Sequence, residues 1–242
     1  MLQALLWGGI AGSSLLIGAI LGIFKEIPNK ISAFIMAFGT GVLTGAATFE
    51  LLTDSAREGG ILYTSIGFLL GSVAFITAEL IIMRKGGHER KRSKTSPAGH
   101  SGLAIFVGTM MDAIPESVII GVSLLENHSV SWVIVIAIFV SNFPEGLSSS
   151  IGMKKDGYSK KKILTLWFGV MILSSISSFL GYVWIDASSQ FLITSIGAFA
   201  AGGIFAMVSS TMLPEAFEEG GPIVGFVSAL GLLTALILTY YG

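Results

Sequence analysis

The chain contains no cysteine and little charge, and both features narrow what it can be. Without cysteine it has no disulfide scaffold, no thiolate metal site and no cysteine nucleophile. Only 12% of its residues are charged and 52% are hydrophobic, with a mean hydropathy of +0.81. Soluble domains carry about twice that share of charge, so the composition predicts a membrane protein. The net charge of -1 provides no concentrated basic face, so no nucleic-acid partner is expected.

Long apolar runs divide the chain into segments of the length that a bilayer requires. A transmembrane helix needs about 20 mostly apolar residues, and eight such runs are separated by charged or Gly/Pro-rich breaks. Runs one to eight lie near 4–24, 31–53, 61–83, 102–124, 130–152, 163–185, 190–213 and 222–241. We therefore predict an all-α membrane protein in which residues 1–242 form a single transmembrane domain of eight helices.

The basic residues are distributed unevenly between the two sides of these runs. All but Arg57 of the 14 Lys and Arg residues fall in the first, third and fifth connections. Cytoplasmic loops collect Lys and Arg, so the segments 84–100 and 153–162 are predicted to be cytoplasmic and both termini to face outward. The cell membrane is the expected location. The longer segment, 84–100, is predicted to be a flexible basic loop that separates three helices from five.

Polar residues interrupt the centres of runs four and five, each time beside a proline. Run four contains the sequence MDAIPES, with Asp112 and Glu116 near its midpoint, and run five contains VSNFPEG. Asp112 and Glu116 are four residues apart and so share one helix face. In run five the same holds for Ser141 and Glu145, and Asn142 lies three residues before Glu145. Two polar faces at one depth are therefore expected to meet.

These carboxylates need a compensating charge. An ionised carboxylate at the bilayer centre costs about 3 kcal/mol on insertion scales, and no Lys or Arg lies inside any run. A divalent cation would supply the charge directly, and protons would neutralise the groups when no metal is bound. Pro115 and Pro144 would each free a backbone carbonyl, those of Met111 and Val140, as a further oxygen ligand or water anchor. The alternative is two ordinary proline kinks, with protonated carboxylates bonded to Ser and Asn.

A short internal repeat suggests how the helices are arranged. LTDSAREGG (52–60) at the end of run two resembles LPEAFEEGG (213–221) at the end of run seven, and each follows a Gly/Ala-rich helix. Runs two and seven cross the membrane in opposite directions, so the repeat would be inverted, which is a recurrent transporter architecture. Alternatively, two Gly-rich apolar helices resemble one another through composition alone.

The two Pro-Glu motifs carry a family resemblance. DAIPES (112–117) and SNFPEG (141–146) resemble the paired His-Asn-x-Pro-Glu-Gly type motifs on helices four and five of the ZIP (Zrt/Irt-like) metal transporters. The segments 37–52 and 212–221 and the eight-helix count resemble the same family. The resemblance implies a 3+2+3 helix bundle that moves divalent metals of the zinc, iron and manganese class into the cytosol, with the metal held between helices four and five.

The resemblance also implies which residues bind the transported ion. Glu116, Asn142 and Glu145 match the family pattern, whereas Asp112 and Ser141 stand where the family has His or another polar ligand. The expected metal ligands are therefore Asp112, Glu116, Ser141, Asn142 and Glu145. The sixth run contains no acidic residue, so one metal site is expected rather than two adjacent ones.

Further acidic residues lie near the ends of runs two, three and seven. Glu50 and Asp54 are toward the outer end of run two, and Glu215 is at the inner end of run seven. They are candidates for an entrance and an exit for cations, and the alternative is that they are solvated helix ends. Glu79, near the inner end of run three, is expected to extend toward the basic loop.

Three classes of function remain at this point. The resemblance favours a transporter whose substrate is a divalent metal ion and which resides in the lipid bilayer, with a second copy of the chain as a further candidate partner. A proton or monovalent-cation pathway, or a transport-deficient metal sensor of the same fold, is the alternative because the usual His ligand is absent. An intramembrane enzyme is not expected, because the sequence has no H-E-x-x-H motif, no intramembrane His and no Ser with a base partner.

The departure at Asp112 leads to a prediction about selectivity. Imidazole suits zinc, copper and nickel, whereas carboxylate, amide and carbonyl oxygens suit harder ions such as manganese. The variant Asp112→His restores the family's usual ligand, so its uptake should favour zinc over manganese more strongly than that of the unchanged chain. Competition between the two metals at equal free concentrations measures the ratio. An unchanged ratio would mean that Asp112 does not ligate the ion.

Overall fold

The computed structural model describes residues 1–25, 27–84, 101–126, 130–184 and 190–241. Every regular element within these residues is helical, and eight helices are long and apolar enough to cross a membrane. The prediction of an all-α membrane protein is therefore confirmed. Most of the predicted basic loop lies outside the described residues.

The eight helices are named α1 to α8 in chain order. They are α1 (Leu2–Phe24), α2 (Asn29–Gly59), α3 (Ile61–Arg84), α4 (Ser101–Glu126), α5 (Trp132–Lys155), α6 (Lys160–Trp184), α7 (Gln190–Met207, continuing through Val208–Met212 and Leu213–Gly220) and α8 (Ile223–Tyr241). Each apolar run of the sequence becomes one of them, because a helix satisfies its backbone hydrogen bonds internally, as hydrocarbon requires.

Helices α2 and α7 are longer than the predicted runs. The apolar pattern ends near residues 53 and 213, where acidic residues appear, but the helices continue to Gly59 and Gly220. Most residues in the final turns are exposed or half-buried. Acidic side chains can therefore point outward there without ending the helix.

Both of these helices contain a π-helical segment just before their last turns. The segments are Ala47–Leu52 in α2 and Val208–Met212 in α7, and each helix is followed by a glycine with positive φ, Gly60 (79°) and Gly221 (68°). π-Helical turns are rare and often lie at functional sites. Their occurrence at matching positions supports the predicted repeat. Because α7 follows α2 by an odd number of helices, the two copies run in opposite directions.

The helices pack as two groups. In the first group α1 packs along α5 and α6, and α4 packs against α6 and α5; in the second group α2 packs along α8 and α3 along α7. The contact of α2 with α5 joins the groups. In an inverted repeat, α1, α2 and α3 correspond to α6, α7 and α8, and α4 corresponds to α5. The contact α1/α5 then corresponds to α6/α4, and α2/α8 corresponds to α7/α3. All four contacts are present, so the packing has the symmetry that an inverted repeat requires. Helices α3 and α8 are the most exposed and present long apolar side chains to their surroundings.

Glycines allow four helix pairs to approach closely. Each helix of each pair has a glycine at which a Cβ would collide with a backbone carbonyl oxygen of the partner. The glycines and the carbonyls that they meet are Gly18 with Phe143 and Gly146 with Leu15 (α1/α5), Gly121 with Ser178 and Gly181 with Val118 (α4/α6), Gly41 with Ser228 and Gly231 with Phe38 (α2/α8), and Gly71 with Phe199 and Gly202 with Phe68 (α3/α7). Small residues are the usual basis of close helix packing in membranes. Paired glycines therefore allow close packing at both of the helix contacts that each symmetry relation connects.

The two ends of the bundle differ in their side chains. Because successive helices alternate in direction, the starts of odd-numbered helices and the ends of even-numbered helices lie together. Exposed Tyr and Trp residues collect at this end, called the aromatic end: Tyr63, Trp132, Trp184, Tyr240 and Tyr241. The opposite end, called the lysine end, has Lys154 donating to the Ile23 carbonyl (3.0 Å) and Lys160 over the Phe24 ring (4.8 Å). Aromatic and basic residues of this kind favour membrane surfaces, and the lysine end is the one predicted to be cytoplasmic.

Gly41 and Gly225 form a matched pair for testing the helix crossings. A Cβ at Gly41 would collide with the Ser228 carbonyl oxygen, whereas no neighbouring helix among the described residues comes within 4 Å of a Cβ at Gly225, which is exposed on α8. Gly41→Ala is expected to destabilise the protein by about 1–3 kcal/mol, as overpacking does. Gly225→Ala should be neutral or slightly stabilising. Thermal unfolding in detergent measures both variants, and equal midpoints would contradict the close approach of α2 and α8.

Candidate metal site

One side of α4 carries a buried polar stripe. Thr109, Glu116 and Ser123 are spaced seven residues apart, which is nearly two helical turns, so they lie on one line along the helix. All three are buried, and only 3% of Glu116 is exposed. Val118 and Gly121 lie on the other side of the helix, where they contact α6. Glu116 therefore faces away from α6.

Helix α5 carries a second polar stripe. Asn142, Glu145 and Ser149 follow the i, i+3, i+7 spacing of one helix face. Asn142 is 2% exposed, Ser149 is fully buried and Glu145 is partly buried. Gly146 meets Leu15 of α1, so the contact with α1 is on a different side of α5. The polar stripe therefore lies on sides of α5 that do not contact α1. Helix α4 is one of the other helices that pack against α5.

The central glutamates lie in the middle of these two adjoining helices. Helices α4 and α5 continue through Pro115 and Pro144, and Glu116 and Glu145 directly follow the prolines. The Oε2 atom of each glutamate is buried from solvent. The two stripes therefore bring carboxylate and amide oxygens into the middle of an apolar bundle. Oxygen donors of this kind suit hard divalent ions such as magnesium and manganese, and zinc also accepts carboxylate ligands.

Ser141 lies where α5 meets α2. A Cβ at Gly39 of α2 would be 2.9 Å from the Ser141 Cα and 3.1 Å from the carbonyl oxygen of Val140. The Ser141 hydroxyl is fully buried and donates to the Ile138 carbonyl (3.1 Å). Its oxygen can still offer a lone pair to a cation. The carbonyl of Val140, which Pro144 frees, lies against α2, and its role as an oxygen ligand or water anchor remains a prediction.

Asp112 belongs to α4, but its side chain lies outside what the structure describes. Among the described side chains, no three His, Asp or Glu residues form a group that could hold a metal ion. A site at this level would therefore consist of Glu116 and Glu145 with Asn142 and a hydroxyl group. A third carboxylate would have to come from Asp112.

Glu50 is held between three helices at the aromatic end. It lies in the π-helical segment of α2, and its carboxylate oxygens accept hydrogen bonds from Ser131 Oγ (2.8 Å), at the start of α5, and Thr239 Oγ1 (2.8 Å), near the end of α8. Asp54 follows four residues later on the same face and is half-buried. Glu50 is therefore a bonded group between helices and is not a freely solvated helix end.

Glu215 lies at the opposite end of the bundle. It is half-buried in the last turns of α7, at the lysine end. In the same turns, Glu219 Oε2 accepts a hydrogen bond from Asn29 Nδ2, at the start of α2 (3.3 Å). The predicted entrance residues and the predicted exit residue thus lie at opposite ends, as a cation pathway would need. Their roles as entrance and exit remain predictions.

Some polar contacts have no counterpart in the predictions from sequence. Glu79, which is expected to extend toward the basic loop, accepts a hydrogen bond from Ser210 Oγ (2.9 Å) in the π-helical segment of α7. Neither this contact nor the one between Glu50 and Thr239 follows from local spacing, because the partners are on different helices. The repeat at the ends of runs two and seven is the one sequence signal that points to these segments.

Two known proteins are similar to the chain, although no family model matches it. The zinc transporter ZupT of Enterobacter sp. (strain 638) is 25% identical over an alignment of 248 positions that covers 95% of each protein. A protein of Arabidopsis thaliana named as a candidate zinc transporter is 28% identical over 212 residues, or 85% of this chain. The chain spans 33% of the length of that plant protein. Together with the eight spans, the likeness to a transporter indicates a multi-pass integral membrane protein.

Proposed function

We propose that the chain transports divalent metal ions of the zinc, iron and manganese class across the membrane toward the cytosol. The ion binds midway through the bundle, between α4 and α5, to Glu116, Asn142 and Glu145, with Asp112 and Ser141 completing its ligands. Similarity to two proteins named for zinc transport supports the class of cargo. The observation that carries the proposal is a pair of glutamates on adjoining helices, in the middle of spans without an internal basic residue.

Charge neutralisation explains why a cation binds at this depth. An ionised carboxylate in the middle of a membrane costs about 3 kcal/mol on insertion scales, and two of them near one another cost more because like charges repel. A divalent ion neutralises Glu116 and Glu145 together, and Asn142 adds a neutral oxygen ligand. The metal therefore takes the place that a lysine or arginine would occupy in a structural ion pair.

On α4 the buried polar residues lie on both sides of Glu116, with Thr109 toward the lysine end and Ser123 toward the aromatic end, whereas on α5 they differ between the two directions. On α5, three consecutive serines at 148–150 follow Glu145 in that direction. Toward the aromatic end, α5 has buried apolar residues instead, namely Ile134, Ala137 and Ile138. Hydroxyl groups can replace part of the water around a departing ion, whereas apolar side chains cannot. This asymmetry of α5 supports release toward the lysine end, the predicted cytosolic side.

Single substitutions of the two glutamates test the site. Even residues that only hydrogen-bond to a metal ligand are worth about 10–100-fold in metal affinity. Glu116→Ala and Glu145→Ala should therefore lower saturable zinc or manganese uptake into proteoliposomes by at least about that factor. Expression and monodispersity should be retained. Glu218→Ala is the matched control, because Glu218 is an exposed carboxylate in the last turns of α7; its uptake should be normal.

The same vesicles distinguish the alternatives. Uptake at the normal rate by Glu145→Ala would rule out the proposed site. Proton movement without metal uptake would indicate a proton or monovalent-cation pathway. Metal binding without any flux would indicate a sensor of the same fold.

A further inference from the structure

Glu50 occupies a position that the proposed transport site does not explain. It lies in the π-helical segment of α2 at the aromatic end and is half-buried. Each of its carboxylate oxygens accepts one hydrogen bond, Oε2 from Ser131 of α5 and Oε1 from Thr239 of α8, both at 2.8 Å. Hydrogen bonds to an ionised acceptor are roughly twice as strong as those between neutral groups. One carboxylate thus connects three helices.

Ser131, which donates one of these two hydrogen bonds, is the N-cap residue of α5. The Ser131 Oγ accepts a hydrogen bond from the backbone N–H of Ile134 (3.3 Å) and donates its own proton to Glu50. A carboxylate near a helix N-terminus is also favoured by the helix dipole. Helix α5 carries Asn142 and Glu145 about three to four turns further on. The position of its first turn therefore affects how those side chains meet α4.

A related contact occurs in the other repeat. Ser210, in the π-helical segment of α7, donates to Glu79 of α3 (2.9 Å). Glu79 lies eight residues after the crossing glycine Gly71, just as Thr239 lies eight residues after Gly231.

In the π-helical segments, Glu50 lies nine residues after Gly41 and Ser210 lies eight residues after Gly202. The two contacts are therefore at positions that match to within one residue, with donor and acceptor exchanged. The π-helical segment of α2 is also bonded to α5, which carries part of the proposed metal site, through the hydrogen bond from Ser131 to Glu50.

We propose that Glu50 is a positioning residue that fixes the first turn of α5 against α2 and α8, and thereby holds Asn142 and Glu145 toward α4. It acts through its two hydrogen bonds and does not touch the transported ion. This role differs from that of an entrance ligand, which would act by direct contact with the ion. In the structure each oxygen of Glu50 accepts one hydrogen bond from a hydroxyl group, and the two bonds hold the carboxylate between α5 and α8. The expected effect on transport rests on the proposed function, whereas the effect on helix position does not.

Thr239→Val is the sharpest variant for testing this role. It removes one of the two hydrogen bonds, keeps the size of the side chain and leaves Glu50 in place. Thr234→Val is the matched control, because Thr234 lies on the same helix and donates to the carbonyl of Leu230 in that helix (2.8 Å). Ser131→Ala is less informative, since it also removes the N-cap of α5. Glu50→Gln completes the set, because the amide keeps the shape but has one acceptor oxygen in place of two.

The distance between α5 and α8 gives a readout that does not depend on transport. The chain has no native cysteine, so Trp132→Cys and Leu236→Cys, both at exposed positions, introduce two spin labels for double electron–electron resonance. The distance distribution is expected to broaden in Thr239→Val and in Glu50→Gln, and to stay unchanged in Thr234→Val. An unchanged distribution in Thr239→Val would overturn the proposal.

Transport kinetics separate positioning from ion binding. If Glu50 positions α5, Thr239→Val and Glu50→Gln should each raise the apparent KM for metal by about three- to tenfold. This is less than the full worth of one charged hydrogen bond, because the bond affects the ion only through the position of α5. The effects of the two substitutions should be less than additive in the double variant, because both act on the same hydrogen bond. If Glu50 binds ions at an entrance, Glu50→Gln impairs uptake and Thr239→Val does not, which would refute the positioning role. Failure of the unchanged chain to take up metal would refute the proposed function, and the distance measurement would still decide the role of Glu50.

Discussion

Carboxylate groups within an apolar bundle impose the constraint on which the rest of this structure depends. Hydrocarbon offers them neither water nor mobile ions, so each needs hydrogen-bond donors, a proton or a cation. Glu50 and Glu79 meet this need with hydroxyl groups of neighbouring helices. In the proposed site a divalent cation meets it for Glu116 and Glu145. The same physical requirement thus accounts for contacts between helices near the ends of the bundle and for the proposed ion site in its middle.

Close packing of the helices determines where those carboxylates can lie. Glycines at the crossings bring α1 and α6 into backbone contact with α5 and α4, which leaves the polar stripes on the remaining sides. The pairs α2/α8 and α3/α7 repeat this arrangement around them, and their outer faces are apolar. Inverted repeats of this kind recur among transporters, whose ions bind near the midplane at the interface between the repeats.

Hydropathy defines most of this fold, because the cost of unpaired backbone in lipid leaves few alternatives to a helix of membrane length. The predicted runs agree with six of the helices to within about three residues and fall short where α2 and α7 continue into acidic turns. Within the candidate site, motif spacing places Glu116 and Glu145 at mid-helix, where the structure has them. It does not reveal that Ser141 lies against Gly39 or that Glu50 bonds Thr239, because such contacts depend on how distant helices pack and leave no local pattern.

The identity of the atoms around a bound metal tests the proposed site most directly. Zinc X-ray absorption spectroscopy on tag-free protein loaded with one equivalent of metal should give a first shell of oxygen atoms only. That shell should disappear in the double variant Glu116→Ala/Glu145→Ala. Imidazole scattering would contradict the site, because it would place the ion on one of the three histidines, His88, His100 or His128. An oxygen shell that persists in the double variant would contradict it equally.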